Sequence, residues 1–93
     1  MSEHRSFQRT NVSWPAAIQL AAGRIVPAKI INFSTNDLRL QCAVLLKDGQ
    51  TYQMMIEVPD KDDASLRTKV TCKATCMYAI LSDSAYQAGM RYF

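Results

Sequence analysis

Two-residue alternation over residues 66–77 is the feature that most limits how this chain can fold. Thr68, Val70, Cys72, Ala74 and Cys76 alternate there with Arg67, Lys69, Thr71, Lys73 and Thr75. Successive side chains of an extended strand point to opposite faces. The segment therefore reads as an amphipathic strand, with one small apolar face and one basic, polar face. It continues or bends through Tyr78, Ala79, Ile80 and Leu81. No stretch of the chain carries a competing helical period.

The same period recurs. Val12, Trp14, Ala16, Ile18 and Leu20 alternate with polar or small residues and predict a strand over 12–20, which Pro15 moves toward an edge or an early strand position. Ala21-Ala22-Gly23 reads as a turn. Residues 24–33 form a second strand, with Pro27 marking an edge or a bulge, and residues 38–42 a short third one. Lys47-Asp48-Gly49-Gln50 is a strong turn signal. A strand rich in β-formers follows over 51–58, then a charged loop over 59–65 that is expected to be mobile. Ser82-Asp83-Ser84 turns the chain into a last strand over 85–93. About six short strands with turns between them predict an all-β fold, a small six-stranded antiparallel barrel or sandwich. A closed barrel also removes exposed strand edges.

The chain has 93 residues, 48% of them hydrophobic and 20% charged, which suits one small domain. Residues 1–11 are polar and are expected to form a flexible basic arm before a barrel over 12–93. No apolar run is long enough to span a membrane. The N-terminus lacks the apolar segment of a signal peptide, so the expected location is cytoplasmic. The net charge is +3, and all of the excess lies within residues 1–30. That placement points to a local anionic partner more than to a broad nucleic-acid footprint.

Catalytic chemistry finds little material. The one histidine, His4, sits in the polar arm, and with three glycines the chain has no glycine-rich phosphate loop. The chain is expected not to be an enzyme. Of the three cysteines, Cys72 and Cys76 would lie about 13 Å apart on one strand face, too far for a disulfide. A metal site would need further ligands. The cysteines are expected to be small buried thiols, and no metal or cofactor is expected.

Binding fares better. The sequence KIINFSTNDLRL at 29–40 gathers Asn32, Ser34, Thr35, Asn36 and Asp37 between apolar anchors. Short polar side chains of this kind bond to nearby backbone and favour turns. The plain reading is a hairpin corner. The sharper one is a recognition corner, because Asn32 and Ser34 are two apart and suited to a base edge. Arg5 and Arg9 offer two guanidinium groups to phosphates and guanine edges.

Arg5-Ser6-Phe7-Gln8-Arg9 matches RxxxR, Asn32 to Asp37 nearly matches [D/N]xSxxG, and Gly89-Met90-Arg91-Tyr92-Phe93 looks like a closing GxxxF-type strand. In this order and on this strand plan the chain resembles a PilZ domain, the bacterial receptor module for cyclic di-GMP. The resemblance covers essentially the whole chain. It implies that Arg5 and Arg9 contact the phosphates and guanine edges as the arm wraps the dinucleotide. It implies that Asn32 and Ser34 bond a guanine from the barrel surface. His4, where many members carry a further arginine, Asp37 and Arg91 are weaker candidates. Asp37 stands where the motif has glycine, and Asn36 where a second glycine is frequent. A positive φ is expected to be needed there, a conformation that Asn and Asp tolerate better than most residues. The Asp37 carboxylate would also oppose an anionic ligand, unless it faces solvent or pairs with Arg39 or an arm arginine.

Three functions are open on these residues. The first is a cyclic di-GMP receptor that signals to a downstream protein partner. The second is a degenerate PilZ-like domain that binds no nucleotide and serves as a protein-interaction adaptor in motility or pilus assembly. The third, a single-strand nucleic-acid binder using Lys69 and Lys73, lacks an interleaved row of exposed aromatics and ranks last.

Overall fold

A computed structural model describes residues 9–63 and 65–92 of the chain. They form strands β1 (Thr10–Gln19), β2 (Ile25–Phe33), β3 (Asp37–Cys42), β4 (Thr51–Pro59), β5 (Arg67–Ser82) and β6 (Ala85–Tyr92), with one short 3-10 turn at Ala21–Gly23. The strands close into an antiparallel barrel in the order β1-β2-β3-β6-β5-β4, with β4 returning to pair with β1. The six-stranded all-β expectation holds. The strand that begins at Thr10 takes in Thr10 and Asn11, two residues placed in the arm on sequence grounds.

Alternation fills the interior. Ile18, Ile30, Leu40, Met54, Cys76 and Met90, contributed by six different strands, are fully buried. The prolines of β1 and β2, Pro15 and Pro27, both lie in the β1–β2 ladder but just outside the second ladder of each strand. Pairing of β1 with β4 starts at Ala16, one residue past Pro15. Pairing of β2 with β3 starts at Ala28, one residue past Pro27. Each proline therefore has one side without a strand partner, which its missing N–H tolerates.

The alternating segment of β5 is only partly a core strand. Ala74 and Cys76 are buried, but Val70 is 42% exposed and Thr68 is exposed too. The reason is topological. Residues 67–73 pair with β4 on one side, while pairing with β6 begins only at Ala74. The early part of β5 thus projects beyond the barrel wall. The loop that leads into it is closed by backbone bonds from Asp60 N to Leu66 O and from Leu66 N to Asp63 O. Asp60 and Asp63 accept further bonds from Asp62 N, Ser65 N and Ser65 Oγ.

Three β-bulges position the outer surface. On β2, Ile30 faces Leu40 but Asn32 faces Arg39, so Ile31 is an extra residue. On β5, Cys76 faces Met90 but Tyr78 faces Gly89, so Met77 is extra. On β1 the register slips between Asn11 and Trp14. An extra residue reverses the in/out sense of everything beyond it. Asn32 and Tyr78 would point inward by simple alternation from Ile30 and Cys76. The bulges turn both outward and turn Phe33 in, where it stacks on Trp14 with ring centroids 5.0 Å apart. The result is an outer row of Asn11, Asn32, Arg39, Gly89 and Tyr78 across five strands.

Candidate functional site

The corner between β2 and β3 is a tight turn built on Ser34. Its backbone N–H donates to Asp37 O at 2.8 Å, and its Oγ accepts from the N–H groups of Asn36 and Asp37, each at 3.4 Å. Ser34 is 4% exposed, the one buried polar side chain among the described residues. A buried hydroxyl needs partners, and the corner supplies them. β6 straps the same corner: Tyr92 N donates to Asn36 O at 3.3 Å, and Tyr92 OH donates to Ser34 O. Burial pushes the Tyr92 phenol above its ordinary pKa, and the Asp37 charge adds to the rise.

The expectation of a positive φ in the corner is corrected. Among the described residues, the non-glycine residues with positive φ are Ala22 and Asp83, neither of them in the corner. Asp37 is already the first residue of β3, in register with Arg91 of β6, and an extended residue needs no glycine.

Arg9, immediately before β1, reaches across to this corner. Its Nε donates to Asn32 Oδ1 at 2.8 Å, and its Nη1 donates to Asp37 Oδ1 at 2.7 Å in an ion pair. Ser34 Oγ lies 3.1 Å from the same Asp37 oxygen and donates to it. Arg9 thus meets Asn32, Ser34 and Asp37, which lie more than 20 positions further along the chain, in one network. Of the residues singled out from sequence, Arg9, Asn32, Ser34 and Asp37 come together. Arg91 is exposed and lies opposite Asp37 on the neighbouring strand. His4 and Arg5 lie outside the described residues.

Two concavities flank the network. One, of about 350 Å³, is lined by Thr10, Phe33, Ser34, Thr35 and Tyr92. The other is a shallow notch of about 70 Å³ that includes Arg9, Asp37, Arg39, Tyr78 and Gly89. Beside the first lies the open mouth of the barrel, an apolar cavity of about 190 Å³ walled by Trp14, Phe33, Leu38, Val58 and Tyr92 among others.

Sequence reasoning missed Arg39, Tyr78 and Gly89 as a unit. Arg39 Nε donates to Tyr78 OH at 3.0 Å, with Tyr78 lying over Gly89. The available signal was the glycine inside a strand, which marks a close approach. The partner that approaches was hidden by the bulge at Met77.

The three thiols are free. Burial pushes all three above their ordinary pKa, which leaves them poor nucleophiles at neutral pH. Among the described residues no cluster of His, Cys, Asp or Glu is arranged to hold a metal, and no helix is long and apolar enough to cross a membrane.

No family model and no curated protein matches the sequence. Solved structures do match the fold. The structure of Bacillus subtilis inhibitor of motility (MotI/DgrA) superposes with a TM-score of 0.79 at 14% identity, over 99% of this chain and 43% of that one. YcgR from Escherichia coli in complex with c-di-GMP gives 0.77 at 12% identity, over 98% of this chain and 38% of that one. The PilZ domain of YcgR with c-di-GMP gives 0.71 at 12% identity, over 98% of this chain and 79% of that one. The chain spans about two fifths of the first two proteins. At near-full coverage and high TM-score, the chain has the fold of the PilZ domains, a six-stranded closed antiparallel barrel.

Proposed function

We propose that this domain is a cyclic di-GMP receptor in which Arg5 and Arg9 clamp the dinucleotide against Asn32 and Ser34. The observation that carries the reading is the meeting of Arg9 with Asn32 at 2.8 Å across 23 residues of sequence. A guanidinium has five N–H donors, and two of those of Arg9 are engaged in the network. The others are free in number to meet phosphate oxygens or a guanine O6/N7 edge. The cleft beside Ser34 offers two aromatic rings, Phe33 and Tyr92, and is of a size for a base. The PilZ domain of similar fold was solved with c-di-GMP, which supports the choice of ligand.

The domain is a binding module and not an enzyme. It acts in the cytoplasm, and closure of the arm on the ligand changes a surface read by a downstream protein. A second reading has one observation in its favour. Arg9 is already paired with Asp37, as in a domain that has lost its nucleotide and kept the fold as a protein-interaction adaptor. Calorimetric titration of the full chain with cyclic di-GMP, beside linear pGpG and GMP, separates the two. Saturable binding of the cyclic dinucleotide, preferred over both controls, supports the receptor. Absence of binding supports the adaptor.

A further inference from the structure

Asp37 is not needed to make the corner. The turn is closed by Ser34 N to Asp37 O and by the two N–H groups that Ser34 Oγ accepts. Among the described residues, the Asp37 carboxylate receives no backbone N–H. What it receives is the Nη1 of Arg9 at 2.7 Å and the hydroxyl of Ser34 at 3.1 Å, both on Oδ1. A guanidinium and a hydroxyl converging on one anionic oxygen is the arrangement that a phosphate oxygen would seek. The surroundings are cationic. Arg91 lies opposite Asp37 on β6, and Arg39 follows two residues on along the same strand face. Neighbours of this kind on a sheet face are within side-chain reach. The ion pair is partly buried, at 35% and 24% side-chain exposure, so it is not fully screened by water.

We infer that Asp37 is an internal anion that occupies the Arg9–Ser34 seat when no ligand is bound, and that an incoming phosphate must displace it. The inference rests on the reading of Arg9 and Ser34 as ligand-binding groups. It gives the carboxylate at the motif's glycine position a specific role, that of a built-in competitor setting the threshold at which the receptor responds. The competitor is local and tethered, so its effective concentration is constant and the threshold does not depend on another molecule. Removal of its charge leaves Arg9, Arg39 and Arg91 as an uncompensated cationic cluster.

The test uses the full chain, with Asp37→Asn to remove the charge at constant size and Asp37→Gly as a second variant. Inorganic pyrophosphate and cyclic di-GMP are titrated by calorimetry, while the Arg9 Nη1–H resonance, the one bonded to Asp37, is followed by NMR. In the wild type without ligand, that N–H is protected from exchange, and in Asp37→Asn the protection falls. Both variants bind pyrophosphate about two- to fivefold tighter than the wild type, the factor expected for losing one partly exposed competing ion pair. The gain shrinks at high salt. Equal or weaker pyrophosphate binding in the variants, or no binding to any of the three proteins, overturns the inference. If the variants gain pyrophosphate and no protein binds cyclic di-GMP, the internal anion stands and the receptor reading fails. If wild type binds cyclic di-GMP and Asp37→Asn binds it no better, the receptor reading stands and the internal anion fails.

Discussion

Gly89 lies directly beneath the ring of Tyr78. A Cβ built on Gly89 would sit 2.3 Å from Cε2 and 2.6 Å from Cζ of that ring. The bulge at Met77 directs Tyr78 outward onto this spot, and the phenol oxygen accepts from Arg39 Nε. The ring is therefore fixed at both ends and cannot easily yield. Gly89→Ala is expected to destabilise the domain by about 1–3 kcal/mol, the usual cost of overpacking. Tyr78→Ala in the same background should restore most of that loss. Urea unfolding of the two single variants and the double variant measures the coupling, and additive losses would show that the ring moves aside freely.

Backbone strain gives a second expectation. Ala22 holds φ 61 and Asp83 holds φ 57, the left-handed region. Alanine there is disfavoured by about 1–2 kcal/mol, whereas aspartate tolerates the conformation better. Ala22→Gly should raise stability by about 1 kcal/mol, and Asp83→Gly by less. Thermal midpoints of the two variants give the order. A larger gain at Asp83 would contradict it.

Alkaline pH should weaken the fold. The folded protein holds the protons of Cys42, Cys72 and Cys76 above the ordinary thiol value of 9.0, and that of Tyr92 above the ordinary phenol value of 10.0. A raised pKa on a group that is neutral when protonated means that its stabilisation is complete below the unfolded value. It is lost as pH rises through the folded value. Stability should be flat around neutrality and fall progressively above about pH 9. Tyr92→Phe should cost about 1 kcal/mol at pH 7, from the lost bond to Ser34 O, and less above about pH 10. Melting curves across pH 7–11 test this, and a constant gap between the two proteins would contradict it.

Much of the fold was legible because binary pattern and turn chemistry agreed. Residues 38–42 and 51–58 alternate cleanly, Lys47-Asp48-Gly49-Gln50 closes a turn with Gly49 at φ 82, and the strands fall where the pattern puts them. Bulges were not legible. An added residue such as Ile31 is simply one more apolar letter, yet it decides that Asn32 faces out and Phe33 faces in. The overhang of β5 was also hidden, because alternation over Thr68 and Val70 says which face they share and not whether another strand covers it. At the site, the corner and its motif partner Arg9 could be named in advance. The pairing of Arg9 with Asp37 was one of several options, and only geometry chose it.

The polar network should matter to ligand binding residue by residue. Asn32→Ala removes the acceptor of Arg9 Nε and a candidate base contact, and should weaken cyclic di-GMP binding by about 1.5–3 kcal/mol, the range for hydrogen bonds to charged groups. Circular dichroism should show the barrel intact, since Asn32 lies on the outer row. Unchanged affinity would remove Asn32 from the site.

The proposed clamp needs both arm arginines to hold the dinucleotide on the barrel corner. Isothermal titration of cyclic di-GMP into the wild-type chain and into Arg5→Ala and Arg9→Ala tests it most directly. Saturable binding to the wild type and a loss of about 1.5–3 kcal/mol in each variant are expected. No binding to the wild type, or equal affinity in all three proteins, would contradict it.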